Sequence, residues 1–108
     1  MVMNNGNGEK AKSLLHFFLR RKPVMMLVKL KNDERPRYAS LLAKEVDCTY
    51  SHTVRILQIL EHNGFIAFDK KGRLKLIKLT SLGQETGALM EQLIRLFNKS
   101  SDALRIIH

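Results

Sequence analysis

D47-C-T-Y-S-H-T-V-R-I-L-Q-I-L-E-H-N-G64 is the stretch that decides the fold of this chain. Apolar side chains recur in it at three- and four-residue steps, which predicts a helix with one face buried in a core. Thr49 is a suitable N-cap, and Gly64 is a suitable stop because glycine adopts the left-handed conformation easily. The apolar stripe consists of Thr53, Ile56, Leu57 and Leu60. The first turn, in contrast, carries hydroxyls, an aromatic ring and an imidazole.

Three further helices are predicted before this stretch. Residues 10–22 carry an apolar cluster between basic ends, and residues 23–31 begin with a proline, which the first turn of a helix tolerates. The polar run 32–36 predicts a surface loop. Residues 37–46 repeat apolar side chains at helical spacing, and only residues 47–49 separate them from the next helix. Two helices joined by so short a turn cross at a steep angle.

A β-hairpin is predicted over residues 65–79, with its loop at residues 69–72. Polar and apolar side chains alternate after this loop until Ile77 breaks the pattern, which indicates either a bulge or the end of a strand. The hairpin is also strongly basic. Its positive side chains are Lys70, Lys71, Arg73, Lys75 and Lys78.

A final helix is predicted from Ser81, because Ser81 and Gln84 match a capping box. One apolar stripe has the spacing of a coiled-coil seam and consists of Leu82, Thr86, Leu89, Leu93 and Leu96. A second stripe beside it consists of Met90, Ile94 and Phe97. The first stripe packs either on its own domain or on a second copy of the chain. Two stripes and an apolar N-terminal helix favour a homodimer, with an interface formed by Leu82, Leu89, Leu93, Leu96 and Phe97.

Charge is the most informative property of the composition. The chain has 19 Lys and Arg against 10 Asp and Glu, a formal net charge of +9. Such an excess in one small domain attracts polyanions; nucleic acid is the commonest, and an acidic membrane surface is the competitor. No apolar run is long enough to cross a bilayer, and residues 1–8 do not resemble a signal peptide. We therefore expect a cytoplasmic protein.

Neither catalysis nor metal binding is indicated by the motifs. The sequence has no Walker loop, no G-x-G-x-x-G and no H-E-x-x-H. Its single cysteine, Cys48, excludes an intramolecular disulfide and is expected to fill a small apolar site. His52 lies four residues after Cys48, but the other histidines show no ligand spacing. We therefore expect no enzyme activity, no metal and no cofactor.

In their order and spacing, the elements resemble a winged helix-turn-helix transcriptional regulator of the MarR-like group found in archaea and bacteria. The matching segments are R37-Y-A-S-L-L-A-K-E-V46, T49-Y-S-H-T-V-R-I-L-Q-I-L-E-H-N-G-F-I66, the hairpin, and L79-T-S-L-G83. Where the group usually has Gly-Leu in the turn, this chain has Asp47 and Cys48. The resemblance implies a mainly helical fold with a small β-hairpin wing, flanked by N- and C-terminal helices for dimerisation.

The resemblance also gives the polar first turn a purpose, because in such proteins it enters the major groove of DNA. The implied base contacts are Tyr50, Ser51, His52, Val54, Arg55 and Gln58. Arg55 suits guanine and Gln58 suits adenine, since each can form two hydrogen bonds with its base. Tyr50 has the alternative of packing under the wing. The implied contacts with the DNA backbone or a minor groove are Arg37, Tyr38, Thr49, Lys70, Lys71, Arg73 and Lys75.

These interpretations divide the chain into three parts. We expect a disordered tail over residues 1–9, a winged helix-turn-helix domain with an N-terminal helix over residues 10–80, and a dimerisation helix over residues 81–108. The predicted function is a sequence-specific transcriptional regulator that binds double-stranded DNA as a homodimer. Two alternatives use the same fold: an architectural or chromatin protein without sequence preference, and a module that docks on another protein. The short flanking helices leave little room for a ligand pocket, so no small-molecule effector is expected.

Overall fold

The computed structural model describes residues 5–107, and it describes side chains for residues 8–100. The elements are α1 (Asn5–Phe18), α2 (Arg21–Asn32), α3 (Ala39–Glu45), α4 (Tyr50–His62), β1 (Ile66–Lys71), β2 (Leu74–Leu79) and α5 (Ser81–Ile107). Strands β1 and β2 form an antiparallel hairpin, which is the wing. This arrangement confirms the predicted winged helix-turn-helix fold. Within the described part, none of the helices is long and apolar enough to span a membrane.

The core lies between one face each of α2, α3 and α4, and the start of the wing closes it. The predicted apolar stripe of α4 is confirmed, because all four of its side chains are buried. Helix α1 joins this core through Phe18, whose ring meets that of Phe65 edge to face at a centroid distance of 5.2 Å. The least exposed apolar side chains are Met26, Leu27, Leu42, Leu57 and Leu60. Burial on this scale fixes the direction of α4 relative to the rest of the domain.

The turn between α3 and α4 is held by a lysine from the start of α2. Asp47 has a φ of 53°, in the left-handed region, where Asp is one of the few tolerated residues other than glycine. The Nζ atom of Lys22 donates hydrogen bonds to the backbone carbonyls of Val46, at 2.8 Å, and Asp47, at 2.6 Å. Cys48 is half-buried against the core, as predicted for a small apolar filler. Lys22 therefore satisfies carbonyls that the end of α3 leaves free.

Both predicted ends of α4 are confirmed. The side-chain oxygen of Thr49 accepts a hydrogen bond from the backbone N–H of His52 at 3.3 Å, so Thr49 is the N-cap. At the other end Gly64 has a φ of +84°. The N–H groups of Gly64 and Phe65 donate to the carbonyls of Glu61 and Leu60, which is the hydrogen-bond pattern of a Schellman motif. The chain then turns directly into the wing.

The wing differs from the sequence prediction in its loop and in its second strand. Residues 69–71 are strand residues, and Lys71 pairs with Leu74, so the loop is two residues long and the predicted four-residue loop is wrong. Gly72, with a φ of +61°, supplies the left-handed conformation that so short a loop needs. The pairing also continues without interruption past Ile77, which excludes both the bulge and the strand end. Ile77 departs from the alternation because it closes the core.

The start of α5 also differs from the prediction. Helix α5 begins at Ser81, but its cap is the preceding residue, Thr80, so the capping box with Ser81 as N-cap is wrong. The Thr80 hydroxyl accepts a hydrogen bond from the N–H of Gly83 at 3.0 Å and donates one to the carbonyl of Gly64 at 2.6 Å. This one side chain therefore ties the start of α5 to the end of α4. A hydroxyl can both donate and accept hydrogen bonds, so the Thr80 hydroxyl forms one more hydrogen bond here than it would as an N-cap alone.

The predicted tail and the start of α3 need correction as well. Helix α1 begins at Asn5, so residues 5–9 belong to a helix; the rest of the predicted tail, residues 1–4, lies outside the described residues. Once a helix has formed, each added residue gains a hydrogen bond, so the helix can extend into residues that are poor helix formers.

Helix α3 begins at Ala39 instead of Arg37, because the Arg37 carbonyl accepts a hydrogen bond from the N–H of Ile77 at 2.8 Å.

Helix α5 packs closely on α2, and Gly87 lies at this contact. A Cβ atom at Gly87 would meet the side chain of Lys31 at 3.4 Å, which shows how near the two helices run. Glu91 accepts hydrogen bonds from Asn32 at 2.6 Å and Lys31 at 3.0 Å. The bonds from Asn32 and Lys31 hold the pKa of Glu91 below its usual range. This contact is therefore complete at neutral pH and weakens as pH falls through the lowered pKa.

We predict that Gly83→Ala destabilises the protein by about 1–3 kcal/mol, the usual range for an overpacked interior position. A Cβ at Gly83 would overlap the backbone carbonyl oxygen of Phe65, which cannot rotate away. Thermal unfolding followed by circular dichroism measures the loss. The matched control is Gly8→Ala in α1, where an added Cβ meets nothing within 4 Å. This control should be neutral or slightly stabilising, and equal midpoints for the two variants would contradict the close approach of α5 to Phe65.

Candidate nucleic-acid interface

Helix α4 has two different sides along its whole length. The side formed by its apolar stripe is buried, whereas the first turn and the polar side are open to solvent in the described structure. Tyr50 is 61% exposed, and Val54 is half-buried. The other predicted base contacts are all exposed: Ser51, His52, Arg55 and Gln58. The described part of the chain leaves the tip of α4 uncovered, which disfavours the alternative in which Tyr50 is packed away under the wing.

A groove of about 680 Å³ runs between α4 and the wing, and we call it the wing-side groove. One wall is formed by Tyr50, Val54 and Gln58 of α4, and the opposite wall by the wing. Among the residues that line it are Tyr38, Tyr50, Val54, Gln58, Lys70, Arg73 and Lys75. The structure thus brings together seven of the thirteen predicted DNA contacts in one concave surface. The α4 wall carries polar and aromatic groups and the carboxylate of Glu61, and the wing carries the cations.

The basic side chains of the wing form few contacts with other side chains of the described residues. Lys75 Nζ lies over the ring of Phe68, 5.6 Å from its centroid. Lys71 and Lys78 share the carboxylate of Asp69, at 3.7 and 3.3 Å. Such exposed ion pairs are weak and readily exchanged for another anion. The wing therefore presents positive charge that a phosphate can neutralise.

The prediction that Arg37 contacts the DNA backbone is wrong. Arg37 belongs to the loop between α2 and α3, and its side chain is 1% exposed. Its guanidinium forms ion pairs with Glu45, at 2.5 Å, and with Asp33, and it also donates to the Asp33 carbonyl at 2.5 Å. A charge is buried in this way only when it is paired and hydrogen-bonded, so Arg37 is a structural residue. The sequence did not reveal its burial because Arg37 was assigned to a helix over residues 37–46, whereas it lies before α3, where Asp33 and Glu45 both reach it.

Two other predicted contacts serve the backbone of the protein itself. The carbonyl of Tyr38 accepts hydrogen bonds from the N–H groups of Leu41 and Leu42, both at 3.1 Å, at the start of α3, while its ring lines the wing-side groove. The hydroxyl of Thr49 is engaged as the cap of α4. Both residues remain at the surface beside α4, so these roles leave their predicted DNA contacts untested.

A second cleft lies on the other side of α4, and it involves residues that the sequence analysis did not single out as contacts. Its volume is about 220 Å³, and we call it the corner cleft because residues 19–21, the corner between α1 and α2, contribute Arg20 and Arg21 to its lining. His52 and Arg55 of α4 face it together with Arg20 and Arg21. The basic run R20-R-K22 was visible in the sequence. Its distance along the chain from residues 49–63 gave no sign that the two segments lie beside the same cleft.

An apolar surface runs along α5 on the side that does not face α2. The predicted seam lies there: Leu89 is 60% exposed and Phe97 is 64% exposed, and Leu82, Leu93 and Leu96 are exposed as well. The stripe does not pack on its own domain within the described structure. Leu15 and Leu19, near the end of α1, add further exposed apolar side chains.

Among the described residues, no three His, Cys, Asp or Glu side chains are grouped as a metal site would require.

Comparisons with known proteins give matches at the level of structure. No family model matches this sequence, and no curated protein matches it significantly. AF1382 from Archaeoglobus fulgidus matches with a TM-score of 0.67 and 22% identity, over 70% of this chain and 87% of that one. MepR, a transcription regulator of the Staphylococcus aureus multidrug efflux pump MepA, matches with a TM-score of 0.73 and 18% identity, over 86% of this chain and 70% of that one.

The heme sensor protein PefR, in complex with heme and carbon monoxide, matches with a TM-score of 0.69 and 17% identity, over 87% of this chain and 72% of that one. All three alignments cover most of both chains. At these identities the similarity concerns the fold, and it is the same winged helix-turn-helix fold that the sequence predicted.

We predict that Arg37→Met lowers the free energy of unfolding by about 3–5 kcal/mol, because it breaks the buried ion pairs with Asp33 and Glu45 and leaves Glu45 only Lys29, at 3.8 Å. Chemical denaturation followed by circular dichroism measures this loss. Arg35→Met is the matched control: Arg35 also pairs with Asp33, but it is exposed, so its loss should cost no more than about 1 kcal/mol. Weaker DNA binding by Arg37→Met at unchanged stability would instead restore Arg37 as a direct contact.

Proposed function

We propose that this protein is a transcriptional regulator that binds specific sequences of double-stranded DNA as a homodimer. In this proposal α4 lies in the major groove and the wing lies on the adjacent backbone or minor groove. The observation that carries it is the two-sided character of α4. Its apolar side is anchored in the core, while a row of exposed hydrogen-bonding side chains lies on its open side, beside a basic wing.

Base recognition explains why the open side of α4 carries these particular residues. The major groove is about 12 Å wide, admits one helix, and displays a different pattern of donors and acceptors for each base pair. Arg55 can donate two hydrogen bonds to guanine, and Gln58 can form two with adenine. Val54, half-buried at the edge of the groove, supplies a methyl surface for thymine. A helix that only packed on another protein would not need donors at these positions.

The wing supplies affinity in this proposal, and α4 supplies specificity. Phosphate contacts release counterions from DNA whatever its sequence, so they raise affinity for all duplexes alike. Lys70, Arg73 and Lys75 line the wing-side groove, where they face the polar side of α4. A DNA strand that passes between α4 and the wing would meet these cations. The net charge of +9 supports the same partner.

Dimerisation accounts for the exposed stripe of α5. Leu82, Leu89 and Leu93 repeat at heptad spacing on a helix of 27 residues, and no described part of the chain covers them. An apolar stripe of this length on a soluble protein normally marks an interface. A two-fold axis through α5 would place two copies of α4 on one face of DNA, about one helical turn of 34 Å apart. The site would then be a palindrome.

Regulation by a small molecule is not part of the proposal. The expectation that no effector acts here stays a prediction, and its premise of short flanking helices does not hold for α5, which has 27 residues. The fold itself is compatible with an effector, because PefR, which shares it, is a heme sensor.

We predict that Arg55→Ala weakens binding to the preferred duplex by about 1–3 kcal/mol and weakens binding to random duplex much less. The preferred duplex is first selected from a random pool at moderate salt, and fluorescence anisotropy then gives both affinities. Arg73→Ala in the wing is the matched control, since it removes the same charge and should weaken both duplexes alike. If Arg55→Ala also affects both duplexes equally, or if no sequence is enriched, the protein binds DNA without sequence preference.

We predict that Leu93→Glu converts the protein from dimer to monomer, because it places a charge in the centre of the apolar seam. Sedimentation equilibrium measures the mass of the full chain, and the monomer should bind a palindromic duplex at least tenfold more weakly because it loses the second α4. Gln84→Glu, which adds the same charge to an exposed position of α5, should remain a dimer. A wild-type protein that sediments as a monomer at micromolar concentration would contradict the proposed dimer.

A further inference from the structure

We infer that the corner between α1 and α2, through Arg20 and Arg21, binds the sugar-phosphate strand on the side of α4 opposite the wing. This inference rests on the proposed function, and it adds a second phosphate-binding surface to the DNA interface. Neither arginine was among the contacts expected from the sequence.

The arrangement of clefts around α4 is the first argument. Tyr50, Val54 and Gln58 of α4 line the wing-side groove, whereas His52, Arg55 and Ile59 line the corner cleft. Helix α4 is therefore a ridge between two depressions. Each depression has basic side chains on its far rim, from the wing on one side and from the corner on the other.

The geometry of the DNA duplex is the second argument. A helix in the major groove has one sugar-phosphate strand on each side of it, because the groove is about 12 Å wide and is bounded by both strands. The wing serves only one of these strands. A strand on the other side would lie along the corner cleft, where Arg20 and Arg21 stand.

The electrostatic state of the corner is the third argument. Arg20 and Arg21 are both exposed, and none of the described residues that line the corner cleft is acidic. Neither guanidinium forms an ion pair with a carboxylate among residues 8–100. Binding a phosphate there therefore requires no ion pair within this part of the chain to be broken. Arginine also matches phosphate with two parallel hydrogen bonds.

The corner is also held in a fixed position relative to α4. Directly before it, Phe18 is buried against Phe65, and directly after it Lys22 donates to the carbonyls of Val46 and Asp47 in the turn that leads into α4. The ammonium of Lys22 is thus occupied by the protein itself, and we assign phosphate binding to the two arginines alone. Because the corner and α4 are anchored to the same turn, the two arginines enter the interface with little loss of freedom.

The test uses the full chain with Arg20→Gln and Arg21→Gln combined, which removes two charges but keeps long polar side chains. Binding to the preferred and to random duplex is measured by anisotropy between 50 and 200 mM salt. The salt dependence, log K against log[salt], should become shallower by about one unit for each lost phosphate contact. Affinity should fall roughly tenfold at moderate salt, equally for both duplexes, because phosphate contacts carry no sequence information.

The matched control combines Lys10→Gln and Lys12→Gln, which removes the same charge from exposed positions of α1 that line neither cleft. It should lower affinity less than twofold and leave the salt dependence nearly unchanged, as expected for distant, screened charges. Arg20→Lys with Arg21→Lys should restore most of the salt dependence, because it returns the charge. Thermal unfolding of the Gln variant should match the wild type, since both side chains are exposed.

The two possible failures are distinguishable. If the corner variant and the α1 control lose the same affinity, the corner does not bind phosphate, while DNA binding by α4 and the wing stands. If the Lys pair behaves like the Gln pair, charge is not what the corner contributes, and the inference is overturned. If the wild-type protein binds no duplex even at 50 mM salt, the proposed function itself fails.

Discussion

The burial of one side of α4 is the constraint on which the rest of this structure depends. Four side chains of that helix, including Leu57 and Leu60, are packed into the core, so α4 cannot rotate about its axis without exposing them. A rotation by one residue, about 100°, would carry this apolar side toward solvent. The exposed row from Tyr50 to Gln58 therefore keeps a fixed direction. Preorganisation of this kind lets a short helix read bases without a large entropic cost on binding.

Three contacts between elements extend this constraint to the surfaces proposed to face DNA. Arg37 joins the loop before α3 to Glu45 and, through its carbonyl, to β2 of the wing. Thr80 joins the start of α5 to the end of α4, and Lys22 joins the start of α2 to the turn before α4. Each contact uses a polar group at the end of an element, where backbone groups would otherwise lack partners. The wing, the corner and the apolar stripe of α5 consequently hold fixed positions around α4.

The fold could be predicted from the sequence because most of its elements are specified by patterns among neighbouring residues. The apolar stripe of α4, its cap at Thr49 and its stop at Gly64 all depend on spacing within one helix, and all three are present. The errors arose where the outcome depends on contacts between separate elements. Arg37 is buried because Asp33 and Glu45 converge on it, and Thr80 replaces Ser81 as the cap because the carbonyl of Gly64 lies beside it. The basic run at residues 20–22 was likewise plain in the sequence, but its position beside Arg55 was not.

The charged side chains of the described residues fall into two groups: those that hold elements together and those that surround α4. Several of the carboxylates hold elements together: Asp33 and Glu45 on Arg37, and Glu91 between α2 and α5. The cations around α4 are bound less firmly, since Asp69 is the only carboxylate in the described wing that pairs with its lysines. Positive charge is thereby concentrated beside the one helix whose polar groups can distinguish bases. Electrostatic attraction alone would bring any duplex to such a surface, so in the proposed complex discrimination would depend on the side chains of α4 that enter the groove.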